Sequence, residues 1–373
     1  MLRAENFNAK YPIKHLGEVV DFLDNLRKPI KASDRLVGEY PYYGANGLQG
    51  FINDFIFDEP LVLLAEDGGH FGNPEKTIAY IAEGKYWVNN HAHVLKPKDG
   101  LDLKFLCRVL ENYDVTPFIK GATRAKLTKG DASTIPIPFP PLTEQKRIAA
   151  ILDKADSLRR KNQQAIQLAD QFLRAVFLDM FGDPVANPKV WEKYAVGELG
   201  RVITGSTPPG SKDGMFGDDI PFITPGDLDS NVKQISRWLS LDGAGYSRVC
   251  RSGSLMACCI GATIGKVAMA NRKSAFNQQI NVVEWFDLID DIFGYYFFKM
   301  NPRFITENAI KTTLPILKKS LFEQIEMPVP PIDMQRAFAK KVNAVWSLVD
   351  KQTRSLDLPL FDVLSQKAFA GEL

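Results

Sequence analysis

The apolar positions of this chain fall into two textures. The first is a series of short runs rich in β-branched and aromatic residues: Phe51 to Phe57, Leu61 to Ala65, Thr77 to Ala82 and Tyr86 to Leu95, then Phe222-Ile223, Ser254 to Cys259, Lys266 to Ala270 and Gln279 to Trp285. Turn signals such as Gly44-Ala45-Asn46-Gly47 and Asp67-Gly68-Gly69 separate them, so they predict strands. Short helices are predicted at Leu103 to Asn112 and Ile292 to Lys299. The second texture is long, with apolar residues three and four apart. From Thr143 to Met180 it predicts a helix of about 38 residues, about 57 Å at 1.5 Å per residue. Pro140 and Pro141 stop the preceding strand, Thr143 is the expected N-cap, and Gly182 and Pro184 end the helix. Its stripe is Ile148, Ile151, Ala155, Leu158, Ala165, Ala169, Phe172 and Val176, with Asn162 in the middle. A second helix, from about Asp333 to Ala370, carries Phe338, Val342, Val345, Val349, Leu356 and Val363, with Gln352 in the stripe. Pro359 predicts that this rod is two pieces. Heptad spacing and equal length predict one antiparallel coiled-coil pair. Asn162 and Gln352 either set its register or are solvated at the stripe edge.

The pattern is written twice. Phe139-Pro140-Pro141-Leu142, followed by Thr143-Glu144-Gln145, returns 190 residues later as Val329-Pro330-Pro331-Ile332, followed by Asp333-Met334-Gln335. Leu16-Gly17-Glu18-Val19 echoes Val196-Gly197-Glu198-Leu199, and Asn89 to Leu95 (NNHAHVL) faintly echoes Asn277 to Val283 (NQQINVV). Offsets that drift while the order holds indicate a duplicated unit with loop insertions. Two copies are too few for a solenoid, so the expectation is pseudo-twofold symmetry. The predicted class is α+β, with mostly β parts at residues 1–141 and 184–331 and long helices at 142–183 and 332–373.

Composition adds limits. The chain has 373 residues, 45% apolar and 24% charged, which suits a globular protein with large cores. Its net charge of +2 says little about nucleic acid, so any basic surface must be local. Cys107, Cys250, Cys258 and Cys259 include no CxxC pair and lack histidines at zinc spacing; reduced, buried thiols are expected. The first twenty residues lack the apolar core of a signal peptide, and no window nears 18 consecutive apolar residues. A cytoplasmic protein is expected.

Motifs for catalysis are missing. Gly261-Ala262-Thr263-Ile264-Gly265-Lys266 resembles a phosphate-binding loop but is one residue short, with Val267 where a hydroxyl should hold Mg²⁺; a turn between strands is the better reading. An Asn-Pro-Pro-aromatic motif for adenine methylation is absent, and Asn187-Pro188-Lys189 lacks its second proline. His91 and His93, two apart in a predicted strand, share a face without further metal ligands nearby. Glu66-Asp67-Gly68-Gly69 reads as a turn. The run Ile119 to Gly130 holds Lys120, Arg124, Lys126 and Lys129 without an acid, around Gly121-Ala122-Thr123. It suits phosphate contacts, with Arg124 able to pair bidentately with guanine; the alternative is an ordinary solvated loop. Its counterpart, Lys311 to Lys319, offers Lys311, Thr312, Thr313, Lys318 and Lys319. Tyr42, Tyr43 and Asn46 are further DNA-binding candidates, against a structural hairpin, and Lys266 joins them.

The chain resembles the specificity subunits of Type I restriction–modification systems. The resemblance rests on FPPLTEQKRIAAILDKADSLRRKNQQ, FLRAVFLDMFGD, and VPPIDMQ ending in AFAGEL. It extends to YYGANGLQGFINDFIF, LLAEDGG and GKYWVNNHAHVL in one half, and to GSTPPG, IPFITPGDL, CIGATIGKVAMA and NQQINVV in the other. It implies two target-recognition domains separated by two antiparallel helices, each reading one half of a split double-stranded DNA sequence. The helices would set the spacing and dock two modification subunits. S-adenosylmethionine, ATP and Mg²⁺ would belong to the modification and restriction subunits, leaving this chain without a cofactor or catalytic site. A self-contained nuclease and a protein-interaction scaffold with a coiled-coil stalk are the rival readings.

Overall fold

The computed structural model describes the chain except residues 1, 4, 6, 8–10, 74, 75, 112, 121–124, 231–234, 311, 312, 355–359 and 373. The chain divides into two compact units, Met1–Gln163 with Thr353–Leu373, and Gln164–Gln352.

The first unit runs β1 (Ile13–His15), α1 (Leu16–Val19), β2 (Val20–Phe22), β3 (Tyr40–Gly44), β4 (Gly47–Ile52), β5 (Leu61–Ala65), β6 (Ala79–Ala82), β7 (Trp87–Val88), β8 (Ala92–Pro97), α2 (Leu103–Leu110), α3 (Lys129–Ser133) and β9 (Pro136–Pro138), then enters α4 (Leu142–Phe181). The second contains the end of α4, then β10 (Lys193–Ala195), α5 (Val196–Leu199), β11 (Gly200–Thr204), β12 (Phe216–Ile223), β13 (Trp238–Leu239), α6 (Leu241–Gly245), β14 (Arg248–Cys250), β15 (Leu255–Cys258), β16 (Val267–Met269), β17 (Ser274–Phe276), β18 (Ile280–Trp285), α7 (Asp291–Met300), α8 (Arg303–Thr306), α9 (Lys319–Glu323), β19 (Glu326–Pro328) and α10 (Ile332–Arg354). A last helix, α11 (Leu360–Phe369), returns to the first unit.

The units share a plan. A four-stranded antiparallel sheet has the order β2-β8-β5-β6 in one and β11-β18-β15-β16 in the other. A second sheet is β4-β3-β7 in one and β13-β12-β17-β14 in the other, and β1–β9 and β10–β19 are matching two-stranded ladders. β5 (LVLLA) is buried along its whole length, the reason its apolar run is continuous instead of alternating.

The repeated motifs now have physical reasons. Glu18 and Glu198 each accept the backbone N–H three residues before, from His15 and Ala195, closing the first turn of α1 and α5. Gln145 and Gln335 are both fully buried. Gln145 Oε1 accepts the Asp102 N–H at 2.8 Å, and its Nε2 donates to Gly100 O and Pro140 O at 2.9 and 2.8 Å. Gln335 repeats this with the Asp290 N–H, Leu288 O and Pro330 O at 2.9, 3.0 and 2.8 Å. The glutamine of each Pro-Pro motif thus ties the start of a long helix to the start of a short one.

The long helices depart from expectation in detail. α4 begins at Leu142, so Thr143 is already helical and Pro141, whose carbonyl accepts from Gln145 N–H, stands at the cap. The helix ends at Phe181 with Gly182 at φ +81°, as the Gly-Pro signal predicted. The C-terminal rod is two helices, α10 and α11. Ile148, Ala149, Leu152 and Ala155 of α4 join the first core with Phe105, Leu106 and Val109 of α2 and Phe369 of α11. Leu173, Phe177 and Phe181 join the second core with Phe293, Phe338, Ala339 and Val342. Phe172, placed in the stripe from spacing, is 54% exposed, because its neighbour Leu173 turns to the core instead. Val363 is exposed as well. Ile151, Leu158, Asn162, Val345 and Val349 are half-buried, while the Gln352 side chain and Leu356 lie outside the described residues.

Candidate nucleic-acid interface

In each unit a short loop is pinched at its base by a two-residue antiparallel bridge. Lys120 and Lys126 exchange both backbone hydrogen bonds, and so do Ile310 and Ile316. The closed segments are 121–125 and 311–315. Each base is fastened in the same way to the end of a central strand. Leu127 N–H donates to Glu66 O and Asp67 bridges Lys126; Leu317 N–H donates to Cys259 O and Ile260 bridges Ile316. The two basic runs singled out in the sequence are therefore the same structural feature twice. Thr123, Arg124, Lys311 and Thr312 lie outside the described residues. Thr313 and Lys318 are exposed, Lys318 at the N-cap of α9.

The lysines in the first run have neighbours the sequence did not reveal. Lys120 Nζ meets Asp131 at 2.5 Å, Lys126 Nζ meets Glu66 at 2.9 Å, and Lys129 lies over the Phe22 ring. The run itself contains no acid, but the fold supplies them. Lys120 is 77% exposed on its side chain, and pairs in that setting yield readily to competing anions such as phosphate.

Beneath the first loop is a buried charged nest. His93 is 1% exposed; its Nδ1 donates to Asp24 Oδ2 at 2.7 Å and its Nε2 faces Leu127 O at 2.8 Å. Arg27 Nη1 donates to Glu66 at 2.7 Å and to Ala92 O. Burial alone would raise the Asp24 and Glu66 carboxyls, but hydrogen bonds from His93 to Asp24, and from Arg27 and Lys126 to Glu66, hold both below the usual range. Ligand atoms of Asp24, Glu66 and His93 lie within 4.8 Å of one another, a metal-sized gathering, yet Arg27 and Lys126 already meet its negative charge. Nothing in the sequence pointed to Asp24 and Arg27, which lie 69 and 39 residues from His93 and Glu66. Glu66, read as part of a turn, is a buried anchor.

The other candidates separate. Tyr42 is 1% exposed; its hydroxyl bonds Ile30 and the Arg35 guanidinium covers its ring at 3.8 Å, so it belongs to the core and not to a DNA surface. Tyr43 is half-buried between Tyr80 and Tyr86. Asn46, at the hairpin tip, is exposed and donates to Gly68 O, joining the β3–β4 hairpin to the turn beside the loop base. His91 precedes β8 instead of sharing a strand face with His93, and its Nδ1 meets Asp67 at 2.5 Å. Residues 261–265 form the expected turn between β15 and β16; Gly261 and Gly265 have φ of +96° and +93°, which glycine adopts freely. Lys266 is half-buried at its end. All four cysteines are free and buried; burial pushes Cys107 and Cys259 up to about 12 and Cys250 to about 11, leaving unreactive thiols. No helix among the described residues is long and apolar enough to cross a membrane.

Two like-built units, each with a backbone bridge closing a loop at the same place, define a protein with a duplicated body. Residues 8–168 and 188–355 each match the family of Type I restriction modification DNA specificity domains, and the chain belongs to that family. A putative type I restriction enzyme specificity subunit of Haemophilus influenzae is 30% identical over 365 residues, covering 95% of this chain and 92% of that one. A type I restriction enzyme specificity subunit of Methanocaldococcus jannaschii is 26% identical over 342 residues, 79% of this chain and 75% of its own. The crystal structure of a Type I restriction–modification S subunit from M. genitalium shares the fold, with a TM-score of 0.68 at 17% identity over 99% of this chain and 98% of the other.

Proposed function

We propose that this chain is the non-catalytic DNA reader of a type I restriction–modification complex, each unit gripping one half of a split, asymmetric target. The observation that carries the reading is the pinched loop present once per unit, on a chain matched in both halves by DNA specificity domains. Lys120, Arg124, Lys126 and Lys129 in one loop, and Lys311, Thr312, Thr313 and Lys318 at the other, supply phosphate and base contacts, with Asn46 and Lys266 beside them. The long helices recruit two modification subunits and set the gap between half-sites. S-adenosylmethionine, ATP and Mg²⁺ act in the modification and restriction subunits, and the complex works in the cytoplasm, where its DNA is. The absence from the sequence of the adenine-methylation and phosphate-loop motifs supports a chain without chemistry of its own.

Methylation sequencing of the host genome tests this: one bipartite adenine-methylated motif is expected, and its absence when this gene alone is deleted. A chain that transfers methyl groups or cuts DNA without partners would overturn the non-catalytic reading. Inserting four residues after Asn162 adds about 6 Å to α4. At about 3.4 Å per base pair, the gap should widen by at most about two pairs while the half-site bases stay the same. A functional insertion variant with the original gap would remove the helix from the spacing role.

A further inference from the structure

The echo between NNHAHVL and NQQINVV has an address in the fold. In both units it is a tight turn leading into the second strand of the four-stranded sheet, β8 or β18. Asn89 Oδ1 accepts the His91 N–H at 2.8 Å, and Asn277 Oδ1 accepts the Gln279 N–H at 3.1 Å. The carbonyl of His91 accepts from Glu66 N–H, and that of Gln279 from Cys259 N–H, both residues that anchor the loop bases. The turn therefore adjoins the base of the pinched loop in each unit. In the first it also touches the hairpin, since Asn89 N–H donates to Tyr43 O and its Nδ2 to Gln49 Oε1.

The side chain at the end of each turn is held from behind. Asp67 fixes His91 through Nδ1, leaving Nε2 bonded to no described residue on a side chain 37% exposed. Asn277 Nδ2 donates to Gln279 Oε1 at 3.0 Å, leaving the Nε2 amide likewise unbonded among the described residues. Two different side chains, at equivalent places in a duplicated unit, are each restrained so that one hydrogen-bonding group remains available: His91, its Nδ1–H given to Asp67, offers Nε2 as an acceptor of the neutral ring, and Gln279 offers Nε2 as a donor. Asn90 and Gln278, just before them, are exposed amides. A hydrogen-bonding group fixed by a second group suits the reading of a base edge, because orientation is set before DNA arrives.

We propose that His91 and Gln279 are specificity-determining residues at major-groove base edges, His91 accepting through Nε2 from an adenine N6 or cytosine N4 amino group and Gln279 donating from Nε2 to a purine N7, guanine O6 or thymine O4, each in its own half-site. The proposal rests on the reading that each unit grips half a target. His91 then governs one base pair in one half-site and Gln279 one in the other, while the loop lysines supply contacts blind to sequence.

The test uses the full chain assembled with its modification subunits. Competition binding against duplexes varied one base pair at a time, with genome methylation maps, is run for wild type, His91→Ala, Gln279→Ala and His91→Gln, which keeps an acceptor in its amide oxygen. Expected is a roughly tenfold loss of discrimination at a single position, in opposite halves for the two alanine variants. The His91→Gln variant should keep a preference at that position. Unchanged discrimination at every position overturns the proposal. So does an equal loss on all sequences with a lower salt slope, which would make the residue a phosphate anchor, or a loss that appears only with faster hydrogen exchange in β8 or β18. A wild-type complex without base preference would instead overturn the reading of the units as DNA readers, and this assignment with it.

Discussion

The same loop stands on two different foundations. In the first unit its base rests on Asp24, Arg27, Glu66, His93 and Lys126, a buried set of charges. At the matching places in the second unit stand Thr204, Cys259, Asn281 and Ile316. Thr204 Oγ1 donates to Asn281 Oδ1 at 2.7 Å where Asp24 meets His93, and the apolar Ile316 replaces Lys126. The contrast repeats where the short helix meets the long one. Arg108 binds Asp153 and Glu111 and approaches Asp156 in the first unit, while Tyr296 stacks on Trp346 at 6.2 Å in the second. One topology thus tolerates ionic or neutral interiors at the same register. What must persist is the backbone path, held by carbonyl and amide groups common to both, and not the identity of the supporting side chains. The ionic version carries a liability, since removing one member strands a buried charge.

The largest expected effect tests that liability. Glu66→Ala leaves Arg27 and Lys126 without their shared partner and should cost about 3 kcal/mol of stability in the first unit. Cys259→Ala, at the matching position, should cost about 1 kcal/mol, the loss of one buried heavy atom. Urea unfolding followed by hydrogen exchange in each unit reads both; equal losses would erase the contrast.

Where the units agree, mutants should agree. Gln145→Ala and Gln335→Ala each orphan an amide and two carbonyls in identical surroundings, so each should cost about 2 kcal/mol in its own unit. A twofold disparity in melting experiments would show that the shared geometry conceals different energetics.

The charged foundation also predicts a pH response. Asp24 and Glu66 are held low in the folded state, so their stabilising contribution is present above the ordinary carboxylate range and is lost as pH falls below about 4. Amides at the first loop base, such as Leu127 N–H, should lose exchange protection there before Leu317 N–H does. Simultaneous loss would mean that the nest does not hold its loop.

The smallest effect concerns DNA. Lys120→Ala should leave folding intact and lower the salt slope of DNA binding by about one ion, without changing sequence preference. An unchanged slope would leave Lys120 to Asp131 alone.

The helices were legible because a 3.6-residue period sustained over forty residues has few alternatives, and α4 ends at Gly182 as its Gly-Pro signal requires. β5 and α2 were legible for similar reasons, each a continuous apolar run or a periodic one between turn residues. Phe172 and Leu173 were not told apart, since neighbouring positions on a helix differ by about 100° and only the facing core chooses between them. For Tyr42, offered as a DNA candidate against a structural hairpin, the hairpin reading holds, because Arg35 and Ile30 cover it from a loop outside any periodic segment.

By itself, the sequence determined the duplication, the mostly β bodies, the long helices and the family, because these follow from local periodicity and from motifs repeated at nearly constant separation. Tertiary structure alone decided that Glu66 meets Arg27 and Lys126, that His93 bridges Asp24 to the loop base, and that His91 is held by Asp67. Such partners lie 24 to 69 residues apart in the chain. They meet only because strand pairing and burial fold the chain back, and burial turns each meeting into a requirement by taking away the water that would otherwise serve those groups.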